Sequence, residues 1–365
     1  MKKLPLIILG LILFSITSCM RDDELWESVT YDTIPYEGLF IINEGNFMYN
    51  NASLTYYDIK MKEVIQNVFF NTNGMPLGDV AQSMTIRDSM AYIVLNNSGK
   101  ISVINTNSFQ YVGKITGLDS PRHIYFLSDE KAYVSDLYAQ AIHIVNPKTL
   151  EKTGSIDISN PDSDFYQHPS ECFTQLDSLV FTNAWSFDNL ILVINSNTDE
   201  LIDSIRVGKQ PNSMSLDNLN RLWVLSDGGF VGNPYGNEAA SLSCINTTDF
   251  KLIKTIELEQ DFNPGSLCIN ASGDTLFFIN HDVYFFAVHQ SEQAEVLIES
   301  PYEAGQIGGF YSLSIDKKRK EIYVADAKDN VQAGTVYRYT GNGTLIDEFE
   351  AGITPGSFCF KEENQ

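Results

Sequence analysis

The sequence predicts an all-β fold, a seven-bladed β-propeller of four-stranded blades whose ring is closed by the C-terminal strand joining the N-terminal blade. Three observations carry this. An apolar, β-rich run ending at Asn or Asp recurs seven times, as Leu39–Asn43, Tyr92–Asn96, Ala132–Asp136, Leu179–Asn183, Trp223–Asp227, Leu276–Asn280 and Ile322–Asp326. The copies lie about 40 to 54 residues apart, the period of propeller blades. From Gly38 to Lys361, strand follows strand without an amphipathic helix or a linker, which argues for one large β domain over residues 38–365. Finally, Leu39–Asn43 is a second strand with no inner strand before it, and Gly356–Phe360 is an inner strand with nothing after it. Pairing the two completes the ring and leaves no open edge.

Each repeat divides in the same way. Pro121–Phe126 opens an inner strand, and Ser128-Asp129-Glu130 forms a polar turn. Lys131–Asp136, Ala141–Val145 and Lys152–Ile156 make the second, third and outer strands. Clusters such as Asn105–Ser108, Asn146–Thr149 and Asn195–Thr198 supply turns between strands. An entry proline recurs at Pro76, Pro121, Pro169, Pro211, Pro264 and Pro355, where no ladder N–H is required. The sixth repeat has Gly308-Gly309-Phe310-Tyr311 instead.

The N-terminus reads as a targeting signal. Lys2 and Lys3 precede the apolar run Leu4–Ile16, and small residues precede Cys19, so residues 1–18 are expected to be removed. Ile16-Thr17-Ser18-Cys19 resembles a bacterial lipobox, which implies acylation at Cys19 and anchoring by more than one chain. Residues 19–37 then form a tether that begins with the acidic cluster Asp22-Asp23-Glu24. That cluster resembles the surface-export signal of lipoproteins from gut Gram-negative bacteria, and implies exposure on the outer face of the outer membrane.

The formal net charge is −23, and loss of Lys2 and Lys3 with no acid in residues 1–18 takes it to −25. Such a chain repels nucleic acid and is kept soluble by its charge. Of the five cysteines, Cys19 is assigned to lipid. Cys172, Cys268 and Cys359 share a local context that places them at one equivalent strand position, as small buried fillers like Cys244. No C-x-x-C or His/Cys spacing specifies a metal, and none of the five histidines has a visible nucleophile or metal companion. His143 alternates with apolar residues and reads as structural. No G-x-S-x-G, H-E-x-x-H or phosphate-cradling glycine loop occurs, so no enzyme, cofactor or catalytic residue is expected.

Loops between second and third strands share a propeller face with the blade-joining loops. On that face the sequence places Phe47 and Tyr49 in blade one, Tyr138 in blade three, Trp185 and Phe187 in blade four, and Phe230, Tyr235 and Asn237 in blade five. Arg122, His123, His168, Phe310 and Tyr311 join them from the blade-joining segments. Aromatics interleaved with amides suit a bulky, polar, largely uncharged ligand. The Asn or Asp ending each repeat is expected to cap its strand by bonding nearby backbone N–H groups.

The repeats, with their Tyr-Val and later Pro, resemble the YVTN-type β-propeller repeat family. The entry segment Gly38–Phe47 and the run Asn51–Asp58, taken with the lipobox and acidic tether, are similar to surface-exposed cobalamin-binding propeller lipoproteins of gut Gram-negative bacteria. That resemblance implies capture of cobalamin or another corrinoid and its hand-over to an outer-membrane TonB-dependent transporter. Three other readings remain open. They are a surface glycan-binding lipoprotein, a protein-interaction propeller, and a propeller hydrolase or lactonase, the last requiring a central metal.

Overall fold

In the computed structural model, residues 37–164, 166–258, 262–303 and 305–362 are described. The signal, Cys19 and all of the tether except Glu37 lie outside them. Seven antiparallel sheets of four strands each form the blades of a propeller. The blade containing Pro121–Phe126 follows the expected meander, with later strands at Ala132–Asp136, Ala141–Asn146 and Glu151–Asp157. Blade one takes its inner strand from the C-terminus. Pro355–Lys361 pairs antiparallel with Gly38–Asn43, and Phe358 and Phe360 pack their rings against Tyr323 of blade seven at 6.4 and 5.5 Å.

The core lies in the seams between neighbouring blades. Second strands read as nearly continuous apolar runs because both of their faces are covered, as in Leu39–Ile42 and Leu222–Leu225. Phe40, Tyr56 and Phe109 meet edge-on in one such seam, with Phe40 4.8 Å from Tyr56 and 5.7 Å from Phe109. Trp223 fills another, its indole N–H bonded to the buried Asp217 carboxylate at 2.9 Å. Each large buried ring removes enough apolar surface from water to matter on its own, at about 2–3 kcal/mol.

Three local expectations need correction. The connection from blade one to blade two contains a short helix, Val68–Asn73, whose Val68 and Phe69 are buried. Asn67 and Gly74, both left-handed, bracket it, so backbone reversal at its ends overrides the β-preference of Val-Phe-Phe. Pro76 is not an entry proline: the inner strand begins five residues later, at Ala81, in the position Pro121 fills in its own blade. Pro169 and Pro264 sit one residue before their strands. Lastly, Cys172, Cys268 and Cys359 all lie on inner strands but not all at one level. Cys268 and Cys359 pair with equivalent residues, Phe277 and Phe40, whereas Cys172 falls in the irregular step at the start of its ladder.

A chain ending at Thr354 would leave the edge of Gly38–Asn43 bare and remove the cover from Tyr323. Loss of a single cooperative thermal transition, or a fall in melting temperature of at least 10 °C, is expected by circular dichroism; an unchanged melting temperature would show that closure contributes nothing.

Candidate functional site

Every inner strand starts with the same irregularity. The register against the second strand slips between Ala81 and Ser83, Pro121 and Ile124, Ser170 and Phe173, Pro211 and Ser213, Gly265 and Cys268, Phe310 and Ser312, and Pro355 and Ser357. A β-bulge re-aims the residue it frees from the ladder. The freed positions are Gln82, Arg122 with His123, Glu171 with Cys172, Asn212, Ser266 with Leu267, Tyr311 and Gly356, one step around the ring for each blade. They form the mouth of the channel on the face that carries the blade-joining loops.

Charges in this mouth are paired across blades. Arg122 Nε lies 2.7 Å from Glu171 Oε1, off the N–H axis, so the contact is mainly coulombic. The Arg122 guanidinium also lies 5.9 Å from the centre of the Trp185 ring, a cation–π distance. Burial pushes the Glu171 carboxyl above its ordinary value while Arg122 pulls it back; the Arg122 guanidinium is itself raised despite burial by Glu171 and, further off, Glu44. Across the mouth, Tyr311 donates its hydroxyl to Glu44 at 3.0 Å. Burial raises the Glu44 carboxyl, and burial with the Glu44 charge raises the Tyr311 hydroxyl. Glu44 packs directly against the glycine at 356: a Cβ there would stand 2.1 Å from Glu44 Oε1 and displace the carboxylate.

His123 sits beside this pair, its Nε2 3.6 Å from Cys172 Sγ and 3.9 Å from Glu171. Desolvation first and the Arg122 charge second push the imidazole down to about 3. Burial pushes the Cys172 thiol up to about 12. Trp185 donates its indole N–H to Asp227 at 3.1 Å, and Asp227 also accepts the Gly229 amide at 2.9 Å.

The remaining sequence-predicted residues spread from the mouth to the rim. His168 Nδ1 is 2.6 Å from Asp188 Oδ2. Phe187 lies 6.4 Å from Phe230 and 5.4 Å from Tyr235, and the Tyr235 hydroxyl bonds Asp164 at 2.6 Å. Phe47, Tyr49 and Tyr138 stand exposed at loop tips, and Asn237 is exposed in the long loop of blade five. The loop bearing Phe47 and Tyr49 is held in place by Asn46 Nδ2 on the Asn330 carbonyl at 2.5 Å and by the Met48 amide on Asp79 at 2.9 Å. Phe310 is not at the mouth: it packs against Tyr337 at 6.2 Å in the seam between blades six and seven.

Six of the seven Asn and Asp residues that end the repeats act as caps by accepting backbone amides, whereas Asn96 donates its side-chain amide to Ser120 Oγ at 2.7 Å. Asp136 accepts the amides of Ser120, Tyr138 and Ala139, Asn183 accepts that of Cys172, and Asp326 accepts those of Gly309 and Lys328. Glu44 and Glu171 carry the mouth's negative charge, yet no sequence motif marks them. The usable signal was register: Glu171 follows Ser170 as Arg122 follows Pro121 and Asn212 follows Pro211. Among the described residues no group of three or more His, Cys, Asp or Glu could hold a metal ion.

Residues 37–354 match the family model described as a domain of unknown function (DUF5074), and the chain belongs to that family. No curated protein matches the sequence. Among solved structures, a quinonprotein alcohol dehydrogenase-like protein from Bacteroides thetaiotaomicron is similar, with a TM-score of 0.67 and 14% identity over 89% of this chain and 78% of that one. A catalytically inactive virginiamycin B lyase from Staphylococcus aureus, solved with quinupristin, has a TM-score of 0.59 and 12% identity over 86% of this chain and 98% of the other. Apo AztD from Citrobacter koseri has a TM-score of 0.55 and 10% identity over 92% and 100%. At these identities the likeness is one of propeller fold.

Removing one partner of the Arg122–Glu171 pair strands a largely buried charge. Arg122→Ala is expected to cost about 3 kcal/mol in urea unfolding, and Arg122→Met combined with Glu171→Leu to recover most of it. If the single and double variants are equally destabilised, the pair is not what the change disrupts. The depressed His123 value has a definite sign. The unfolded chain takes up a proton near pH 6.5 that the folded chain refuses, so stability falls as pH drops from about 6.5 towards 3. The His123 ring signals are expected to stay those of neutral imidazole down to pH 5 by NMR, and His123→Asn to flatten the stability profile over that range.

Proposed function

We propose that this DUF5074 protein is a lipid-anchored cell-surface receptor that captures cobalamin or a related corrinoid and delivers it to an outer-membrane TonB-dependent transporter. The observation that carries the reading is the asymmetry between the two propeller faces. Phe47, Met48, Tyr49, Tyr138, Phe230 and Tyr235 are exposed on the loops around the mouth, whereas the turns of the opposite face expose Met61 and Leu219. A corrinoid is a broad ring with a fringe of amides. Exposed rings can cover its faces, while Gln82 and the rim amides exchange hydrogen bonds with the fringe. The lipobox and acidic tether, which lie outside the described residues, supply the anchoring half of the reading.

Binding rather than catalysis is also what the mouth's chemistry favours. The Cys172 thiol is raised rather than lowered, so its neighbour His123 does not make it a thiolate nucleophile. Glu44 and Glu171 are already engaged by Tyr311 and Arg122.

Purified protein is expected to hold the colour of cobalamin through desalting and to give a saturable calorimetric signal with cobalamin and with cobinamide. Trp185→Ala is expected to weaken that binding at least tenfold with the melting temperature nearly unchanged. No heat with either corrinoid would reject the reading, and undiminished affinity in Trp185→Ala would move the ligand away from the mouth.

A further inference from the structure

At the rim of the same face, four loops border an open cavity of about 220 Å³. They are the blade-joining segments that follow blades three and four and the long loops of blades four and five. A cavity of this size has room for several waters, or for one small ring and its substituents. One wall is aromatic, made by Phe187 and Tyr235 with ring centres 5.4 Å apart. The other is built from amides that are more than nine-tenths buried: Gln167, Gln210 and Asn233.

These amides are only partly satisfied. Asn233 Nδ2 donates to Gln210 Oε1 at 3.2 Å and Gln167 Nε2 to the Leu137 carbonyl at 3.4 Å. The Gln210 amide nitrogen and the Gln167 amide oxygen have no hydrogen-bond partner among the described residues, and neither is one of the buried unpartnered atoms, so both are reached from the open side of the cavity. One donor and one acceptor therefore remain for a ligand. Of the charged groups along the wall, Asp188 is held by His168 at 2.6 Å and Lys209 Nζ by the Tyr235 carbonyl at 2.7 Å, while the exposed Asp162 stands at the edge. With the two inner charges engaged and the amides open, hydrogen bonds and ring contact are what the wall offers a ligand. The backbone of Phe187 has φ 61°, a left-handed conformation uncommon for a bulky residue, and its ring lines the cavity.

We propose that this rim cavity binds a single neutral sugar ring, a furanose or pyranose, stacked on Phe187 and Tyr235 with its hydroxyls exchanging hydrogen bonds with Gln167 and Gln210. Two sources supply such a ring: the riboside arm of a complete corrinoid, or a surface glycan. The first source rests on the corrinoid reading above; the sugar site itself does not.

The test uses the full mature chain with Phe187→Ala and, should that variant fold poorly, Gln210→Ala. Each is titrated calorimetrically with cobalamin, with cobinamide, which lacks the riboside, and with glycans selected on an array by the unsubstituted protein. A loss of at least tenfold for cobalamin with cobinamide held within twofold supports the site and assigns the riboside. If the unsubstituted protein ignores both corrinoids but binds a glycan that the variants lose tenfold, the sugar site stands and the corrinoid reading falls. Equal losses for cobalamin and cobinamide, unchanged affinity for every sugar-bearing ligand, or no sugar-bearing ligand bound at all would each overturn the proposal.

Discussion

The pairing of Pro355–Lys361 with Gly38–Asn43 is the constraint on which the rest of the molecule depends. It does more than seal the ring. Glu44 comes from the N-terminal side of the chain, whereas Tyr311 and Gly356 come from its far end, and the three meet only when the ladder forms. The acidic half of the mouth is thus assembled by ring closure, while the Arg122–Glu171 half is built between neighbouring blades of the continuous chain. Stability and site are coupled at the closing blade in a way they are not at blades three and four.

A second constraint is the bulge at the entrance of every inner strand. A regular ladder would turn each of these residues into a strand face and pack it in a seam, as happens to Phe310, which keeps its partner Asp326. Its neighbour Tyr311, one residue on and freed by the slip, reaches Glu44 instead. One residue of register therefore separates a core position from a mouth position, as the period-2 geometry of strands requires. The same fold can keep its seams while the seven freed positions vary, which fits the low identity between this chain and propellers of similar shape.

Much of this was legible in the sequence because repetition averages out local ambiguity. Seven copies of one strand pattern, with unmatched strands at the two ends, define blade number and closure together. The mouth was only partly legible. Arg122, His123 and Tyr311 were found because they flank a proline or glycine signal, while Glu171 passed as the context of Cys172. A bulge leaves no trace in composition; it shows only when the repeats are aligned strand by strand. The Val68–Asn73 helix was hidden for a different reason. Its residues favour strand, and the left-handed Asn67 and Gly74 that enclose it acquire meaning only with their dihedral angles known. Phe310 and Tyr311 are neighbours in the sequence, and only the ladder register shows that the first ring packs in the seam.

The direction of the chain adds a geometric consequence for the proposed hand-over. Gly38–Asn43 runs towards the mouth, so the chain enters the propeller from the opposite face. Glu37 is held there by Lys318 and Arg319, with Arg319 in turn bonded to Asp316 at 2.9 Å. An anchor at Cys19 would therefore be joined to the base of the propeller, while the aromatic loops sit at the far side. Residues 19–36 span at most about 65 Å when fully extended, enough to pass along the side of a single domain of this size. A receptor tied by its base can thus present its mouth outward for capture and still tip it towards a membrane partner. The length of the tether, rather than a hinge within the rigid ring, would then limit how far the bound ligand travels.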